Sequence, residues 1–89
     1  MKGRRFMYLS IGAGVTLESQ YIVGIFDLDR TTHGIRTREF LSLAQKRGQV
    51  VTAGEDLPKS FLLYEEKGKI TIYLSQLSVA TLQKRRSSI

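Results

Sequence analysis

Arginines grouped in one predicted helix are the residues whose type and spacing best suit recognition chemistry. Arg36, Arg38 and Arg47 lie in segment 35–47, which carries a helical pattern of apolar residues. Planar guanidinium groups match phosphate oxygens and guanine edges, and Lys59, in a predicted loop beside the sheet, can meet a nucleic-acid backbone. A structural alternative stays open, because Arg36 and Arg47 also flank the apolar stripe and can extend to solvent while Arg38 pairs with acids.

The net charge of +6 comes from the two ends of the chain. Residues 6–83 contain eight basic and eight acidic side chains and are therefore neutral as a whole. The remaining basic residues are Lys2, Arg4, Arg5, Lys84, Arg85 and Arg86. Short basic arms on a neutral body suit a polyanion, most often nucleic acid, so residues 1–5 and 84–89 are predicted to support DNA contacts. Two other roles stay open: charged ends keep a small domain in solution, and the last cations complement the C-terminal dipole of a predicted helix.

A pair of aspartates at the end of an apolar run offers an enzymatic alternative. Asp27 and Asp29, with Thr31, form the pattern D-x-D-x-T after residues 22–26, and this pattern resembles the signature of haloacid dehalogenase phosphotransferases. In such a site one carboxylate attacks phosphorus and the second transfers the proton, from a strand end where both point the same way. The resemblance is local, because those enzymes need a much larger sheet that also carries a lysine and an acidic pair for magnesium. The favoured interpretation is a solvated strand end in a protein that is not an enzyme.

The remaining motifs predict no metal and no cofactor. His33 is the single histidine and cannot by itself form a nitrogen-rich metal site or a catalytic pair. Residues 12–14, Gly-Ala-Gly, are too short for a dinucleotide loop and predict a tight turn. Glu55 and Asp56 could bind a hard cation, but solvated acids are the favoured interpretation. Cysteine is absent, which excludes disulfides and thiolate ligands.

Length and composition predict one domain over residues 1–89, with 42% hydrophobic residues available for a packed interior. A core this small gains from oligomerisation, which adds buried area. The chain begins like a signal peptide, but Ser10, Gly12 and Gly14 interrupt its apolar residues, so a strand is predicted there instead. No apolar run approaches the ~20 residues that a transmembrane helix needs, and we expect no membrane partner and a cytoplasmic protein.

The apolar periodicity predicts an α+β fold: a small, mostly antiparallel sheet with one central helix and a short C-terminal helix. Strands are predicted over 6–11, 15–17, 20–28, 50–53, 60–65 and 69–74, and the last two are expected to form a hairpin. Helices are predicted over 35–47 and 79–86, and the second is expected to dock on the sheet through Val79 and Leu82. Segment 20–28 is apolar on both faces and is expected to be the central strand, with a bulge at Gly24. Thr32 and Ser78 are the expected helix N-caps, and Gly48 is expected to end the first helix. The apolar stripe of that helix is predicted to contain Phe40, Leu41, Leu43 and Ala44, opposite Arg38, Glu39 and Lys46.

Five segments share their order and spacing with one bacterial family. They are 7–12 (MYLSIG), 22–27 (IVGIFD), 58–60 (PKS), 72–78 (IYLSQLS) and 81–85 (TLQKR). The resemblance covers residues 7–86, and the second and third segments are its most specific part. On these motifs the chain resembles the RemB family of extracellular matrix regulators, small DUF370 proteins related to the matrix regulator RemA.

The resemblance implies a compact α+β domain, similar to half of a LytTR-type DNA-binding unit, that assembles into homo-oligomeric rings. It implies a bacterial transcriptional regulator of biofilm matrix genes whose partner is double-stranded DNA. The implied mechanism is repetition, in which weak basic contacts around a ring let DNA bend and add up to tight binding. We expect phosphate and shape contacts from Arg36, Arg38, Arg47 and Lys59, supported by Arg4, Arg5, Lys84, Arg85 and Arg86.

The chain departs from RemA-type proteins at two places. Those proteins carry an arginine after the second strand and an adjacent arginine pair in the loop before the hairpin. Here residues 19–21 read Ser-Gln-Tyr at the first place, and the loop 54–58 at the second is acidic. Only Lys59 keeps a cation near the second place. An alternative function is therefore a ring-forming protein-interaction scaffold that has lost the DNA-binding face.

Overall fold

The computed structural model describes residues 7–28 and 35–87, which form six strands and two α-helices. The strands are β1 (Tyr8–Gly12), β2 (Val15–Glu18), β3 (Ile22–Asp27), β4 (Val50–Ala53), β5 (Ser60–Glu66) and β6 (Lys69–Ser75). The helices are α1 (Ile35–Lys46) and α2 (Val79–Ser87), and a short 3-10 helix (Ser19–Tyr21) joins β2 to β3. The α+β class predicted from the sequence is confirmed. Within these residues, no helix has the length and apolar character needed to cross a membrane.

β1 and β2 form a two-stranded antiparallel sheet in which Leu9 pairs with Leu17. Both leucines are buried and face the same core cluster. Gly12, Ala13 and Gly14 between the strands have φ angles of 99°, 56° and 77°, a left-handed path that glycine adopts without strain. The predicted tight turn is therefore confirmed.

The second sheet contains four strands in the order β3-β5-β6-β4, and β4 runs parallel to β6 while the other pairs are antiparallel. The predicted hairpin between β5 and β6 is confirmed. The prediction that segment 20–28 is the central strand is wrong, because in the described chain β3 lies at the edge and pairs with β5 alone. Its two faces are apolar because each meets a different layer: Ile25 packs with one core cluster, while Phe26 stacks on Phe61 at 5.0 Å between ring centroids.

A bulge in β3 is confirmed at the predicted place. The pairing register with β5 shifts between Ile22 and Gly24, and Val23 between them is 59% exposed. A Cβ atom at Gly24 would lie 2.7 Å from the Phe26 ring, closer than packed carbon atoms approach. Any larger residue at this position would therefore require the Phe26 ring to move.

The four-stranded sheet is the middle of three layers. On one face, α1 contributes Ala44, which packs against Phe61 and Ile72. On the other face, the small sheet and α2 complete a larger cluster, whose members are Leu9, Ile11, Leu17, Ile22, Ala53, Leu62, Tyr64 and Leu82. Strand side chains alternate between faces, so the neighbours Phe61 and Leu62 belong to different clusters. The two helices consequently lie on opposite sides of this sheet.

Helix α1 buries a narrower stripe than the sequence predicts. Ala44 is buried and Leu41 partly buried, whereas Phe40 and Leu43 are 46% and 47% exposed. The prediction that Phe40 and Leu43 face the core is wrong, because adjacent helix residues diverge by about 100° and Ala44 and Leu41 make the contact with the sheet. Gly48, just past the helix end, has a φ of 71°, which confirms the predicted termination.

Two buried serine hydroxyls join the layers. Ser60 and Ser75 lie opposite each other on β5 and β6, and both are fully buried. The Ser75 hydroxyl donates to the Ile11 carbonyl at 2.8 Å and accepts from the Leu77 N–H at 3.0 Å. The Ser60 hydroxyl donates to the Leu77 carbonyl at 2.7 Å. These bonds attach both β1 and the segment before α2 to one end of the four-stranded sheet.

Helix α2 begins as predicted at Ser78, whose hydroxyl accepts a hydrogen bond from the Thr81 N–H at 3.1 Å. This bond satisfies one of the N–H groups that the first turn of a helix leaves unpaired. The predicted docking of α2 through Leu82 is confirmed, because that side chain is fully buried in the larger cluster. Thr32, the predicted cap of α1, lies outside the described residues.

Replacing Ser75 by alanine is expected to lower the free energy of unfolding by about 1–3 kcal/mol, because the Leu77 N–H and the Ile11 carbonyl lose a buried partner. Urea unfolding followed by circular dichroism measures this change. Ser10→Ala, at an exposed position of β1, is the control and should change the stability by less than about 0.5 kcal/mol. Equal effects of the two substitutions would contradict the importance of the buried hydroxyl.

Burial of Tyr64 predicts a loss of stability in alkaline solution. Burial raises the pKa of the Tyr64 hydroxyl above its usual 10.0, against the opposing effect of a hydrogen bond from the Glu18 N–H. Because the folded-state pKa is raised, its stabilising contribution is complete below about pH 10 and is lost as the pH rises through the folded-state pKa. Tyr64→Phe should flatten the alkaline part of a curve of unfolding free energy against pH. Tyr8→Phe, at a 49% exposed position, should leave that curve unchanged, and an equal response of both variants would rule out burial as the cause.

Candidate nucleic-acid interface

The end of α2 carries three successive cations. Lys84, Arg85 and Arg86 lie in its last turn, and all three are exposed. Their charges are favourable beside the C-terminal end of the helix dipole, as the structural alternative predicts. The same exposed charges also attract anions.

The helix that carries these cations is fixed at both of its ends. The Ser78 hydroxyl caps the first turn of α2, and the buried Leu82 packs in one cluster with Leu9 and Ile11 of the small sheet. Near the other end, Nη1 of Arg85 donates to the Ser10 carbonyl of β1 at 3.2 Å. The basic turn therefore has a defined position on the surface of the fold, and we name Lys84, Arg85 and Arg86 the C-terminal basic cluster.

A second cationic surface covers the outer side of α1. An open depression of about 540 Å³ there is lined by Arg38, Glu39, Ser42, Leu43 and Lys46. Its positive charge comes from Arg38 and Lys46, which are about two helical turns apart and both exposed. Sequence analysis gave Lys46 no role. The four-residue spacing 38, 42, 46 is the signal that identifies it, because residues at this spacing share one side of a helix.

The structure describes only some of the other predicted arginines. Arg47 follows the last residue of α1 and is exposed, and its backbone N–H donates to the Leu43 carbonyl at 3.1 Å. Arg36 lies in the first turn of α1, and its side chain is outside the described part of the structure. Arg4 and Arg5 precede residue 7 and lie outside it as well. DNA contacts by Arg36, Arg4 and Arg5 stay predictions.

Lys59 and Arg47 lie at different positions along the four-stranded sheet. The Lys59 N–H donates to the Ser75 carbonyl at 2.8 Å, so Lys59 lies beside the last residue of β6. The Ile72 N–H donates to the carbonyl of Gln49 at 2.8 Å, two positions after Arg47. Since Ile72 and Ser75 are separated by about 10 Å along the strand, the fold does not bring these two cations together.

Apart from Lys59, the predicted contacts that the structure describes therefore fall on two surfaces. The depression on α1 and the C-terminal basic cluster belong to helices that pack on opposite faces of the four-stranded sheet. A straight duplex that lies along one side of a single chain cannot reach the cations on the other side. Sequence analysis could not detect this separation, because it depends on which sheet face each helix covers.

The loop 54–58 is acidic and has a fixed backbone. The side-chain amide of Gln76 lies against this loop and is oriented so that its oxygen faces the neighbouring donors. That oxygen accepts hydrogen bonds from the N–H groups of Glu55 at 2.8 Å and Asp56 at 2.7 Å. Leu57 follows them and is 86% exposed. Lys59 is thus accompanied by two acids, which weakens the attraction of this region for phosphate.

The β5–β6 hairpin presents two lysines that sequence analysis did not assign. Lys67 and Lys69 are exposed and line an open depression of about 370 Å³ with Tyr64, Glu66, Thr71 and Tyr73. Glu66 is the cross-strand partner of Lys69, so the local charge is mixed. No pattern in the sequence distinguishes these lysines from ordinary residues of a polar turn.

The structure describes only the first residue of the D-x-D-x-T pattern. Asp27 is the last residue of β3 and is partly buried, whereas Asp29, Thr31 and His33 lie outside the described residues. Within residues 7–28 and 35–87, no three acidic or histidine side chains come together in a group that could hold a metal ion. The phosphotransfer alternative stays a prediction, because Asp29 and Thr31 lie outside the described residues.

Comparison with models of known protein families gives no match to this chain. A search of curated proteins gives no match either. The resemblance to the RemB family rests on the five sequence segments alone, and the family assignment stays a prediction.

Proposed function

We propose that this protein is a bacterial DNA-binding transcriptional regulator of the RemA/RemB type that acts as a homo-oligomer in the cytoplasm. The observation that carries the proposal is the C-terminal basic cluster, a run of exposed cations on the anchored end of α2. Cations on a fixed support suit the phosphate backbone, whose charge dominates the affinity of most proteins for DNA. Because residues 6–83 are neutral as a whole, this cluster is one of two concentrations of positive charge on the chain, and Lys2, Arg4 and Arg5 form the other.

The geometry of α2 favours contacts with phosphates over contacts with bases. Its three cations are consecutive, and consecutive helix residues diverge by about 100°. They therefore spread around the helix end and do not form one face that could enter a major groove. Contacts of this kind position a protein on DNA without reading its sequence, so that DNA shape and bending would supply the specificity.

Assembly into an oligomer would let these few phosphate contacts per chain give tight binding to DNA. Three cations per chain release few counterions, and such binding is weak at physiological salt. Repetition of the same surface around a ring raises the total affinity without any new type of contact. Exposed apolar side chains support self-association, because burying their surface is favourable; Leu57 and Leu43, at 86% and 47%, are among the most exposed in the described chain.

The acidic loop also favours α2 as the main DNA contact. RemA-type proteins carry their arginine pair in the corresponding loop, and here that loop presents Glu55 and Asp56. A DNA-binding function then needs cations elsewhere. The candidates are the C-terminal basic cluster and the helix arginines Arg36, Arg38 and Arg47, which lie on the opposite side of the sheet.

Neutralising the cluster is expected to weaken DNA binding. We predict that the double variant Lys84→Gln and Arg86→Gln lowers the affinity for duplex DNA about tenfold or more near 0.1 M salt, because two phosphate contacts are lost. The slope of log affinity against log salt should become shallower by about 1 for each lost contact. Fluorescence anisotropy of a labelled duplex across a salt series measures both quantities. Arg85 is left intact because it also binds β1.

The control is Lys67→Gln with Lys69→Gln, which removes the same net charge from the hairpin and should leave the affinity within about twofold of the parent. The competing surface is tested by Arg38→Gln with Arg47→Gln. Normal binding by the cluster variant, together with loss of binding in the Arg38 and Arg47 variant, would assign the DNA face to α1 and contradict our choice of α2.

A second candidate function is a ring-forming protein-interaction scaffold without a DNA partner. The observation that favours it is the acidic loop, which is held by Gln76 and carries the 86% exposed Leu57. This candidate predicts that a confirmed oligomer fails to bind duplex DNA even at the lowest salt, where phosphate contacts are strongest.

A further inference from the structure

Leu57 is the most exposed large hydrophobic side chain in the part of the chain that the structure describes, at 86%. It lies in a loop with two exposed acids, Glu55 and Asp56. Burying a leucine that is this exposed would be favourable in any complex. The loop therefore combines an apolar anchor with a local negative charge.

The backbone of this loop is organised before any partner binds. The Gln76 side chain accepts hydrogen bonds from Glu55 and Asp56, and Gly54 has a φ of 96°, where a Cβ atom would collide with the Gln76 amide. On the other side of Leu57, Pro58 has a restricted φ. A loop that already holds its shape loses little conformational entropy on binding, which favours association.

The depression on α1 has the complementary properties. Leu43 in its lining is 47% exposed, and Arg38 and Lys46 lie on the same side of the helix, about 12 Å apart along its axis. The flexible side chains of both cations can turn toward acids placed between them. One acid, Glu39, shares the lining, so the depression keeps an excess of positive charge.

We propose that the loop 54–58 of one copy docks on the α1 depression of a second copy, with Leu57 against Leu43 and with Glu55 and Asp56 facing Arg38 and Lys46. The second copy is the occupant because both complementary surfaces are exposed on the same chain. The two surfaces are different patches, so the contact is head-to-tail. Such contacts close into a ring when the rotation between copies allows it and otherwise extend into a filament. The inference rests on the homo-oligomer part of the proposed function and is independent of DNA binding.

The first test removes the apolar anchor. Leu57→Ser should raise the dissociation constant of self-association at least about tenfold, as measured by sedimentation velocity of the full chain over a range of concentrations. Val23→Ser, which removes another exposed apolar side chain (59%) from the edge of the sheet, should leave self-association unchanged. Because Leu57 is 86% exposed, its substitution should leave the fold intact, and circular dichroism of each variant checks this.

The second test reverses the charges. Glu55→Lys with Asp56→Lys should dissociate the oligomer, and Arg38→Glu with Lys46→Glu should do the same, because each places like charges opposite one another. A chain with all four substitutions, and an equimolar mixture of the two double variants, should both reassociate. Recovery of this kind requires the two surfaces to meet each other.

The remaining outcomes distinguish failure of the proposed interface from failure of the proposed function. A parent chain that is monomeric at every concentration would overturn the inference together with the homo-oligomer, and the anisotropy assay would still decide DNA binding. An oligomer that survives both charge reversals would overturn the interface alone. Loss of DNA binding by the Arg38 and Lys46 variant, with its oligomer intact, would show that α1 faces DNA and would also overturn the inference.

Discussion

The hydroxyl groups of Ser60 and Ser75 hold together parts of the chain that otherwise meet through apolar contacts. Both are fully buried at one end of the four-stranded sheet, where an unpaired hydroxyl is unfavourable by about 1–3 kcal/mol. Their bonds to Ile11 and Leu77 therefore fix where the small sheet and the segment leading into α2 can lie. The position of the basic end of α2 depends on this arrangement.

The layered fold separates the surfaces that our account uses. The C-terminal basic cluster extends from the face that the small sheet and α2 cover, and the α1 depression lies on the other face. One side can then contact DNA while the other contacts the acidic loop of a neighbouring copy. Because the body of the chain is close to neutral, local groups of charge rather than net charge decide what each surface binds.

Features set by local rules could be predicted from the sequence. Alternating residues identified the β5–β6 hairpin, and Gly48 and Ser78 marked the helix ends, because these signals depend on nearby backbone geometry.

The edge position of β3 could not be predicted, since an edge strand between two layers is as apolar on both faces as a central one. The exposure of Leu43 could not be predicted for a similar reason: helical periodicity shows a stripe, but the contact with the sheet through Ala44 and Leu41 decides how much of that stripe is buried. The separation of the cations depends on layer order, which no local pattern records.

The central claim is that several copies of this chain bind duplex DNA through phosphate contacts. The most direct test is sedimentation velocity of the full chain with a fluorescently labelled duplex, because it reports in one experiment whether DNA is bound and how many copies bind it. Our account predicts a complex with several copies per duplex at low salt, which dissociates steeply as the salt concentration rises while the protein oligomer persists. Free duplex sedimenting apart from an intact protein oligomer at the lowest salt would contradict it.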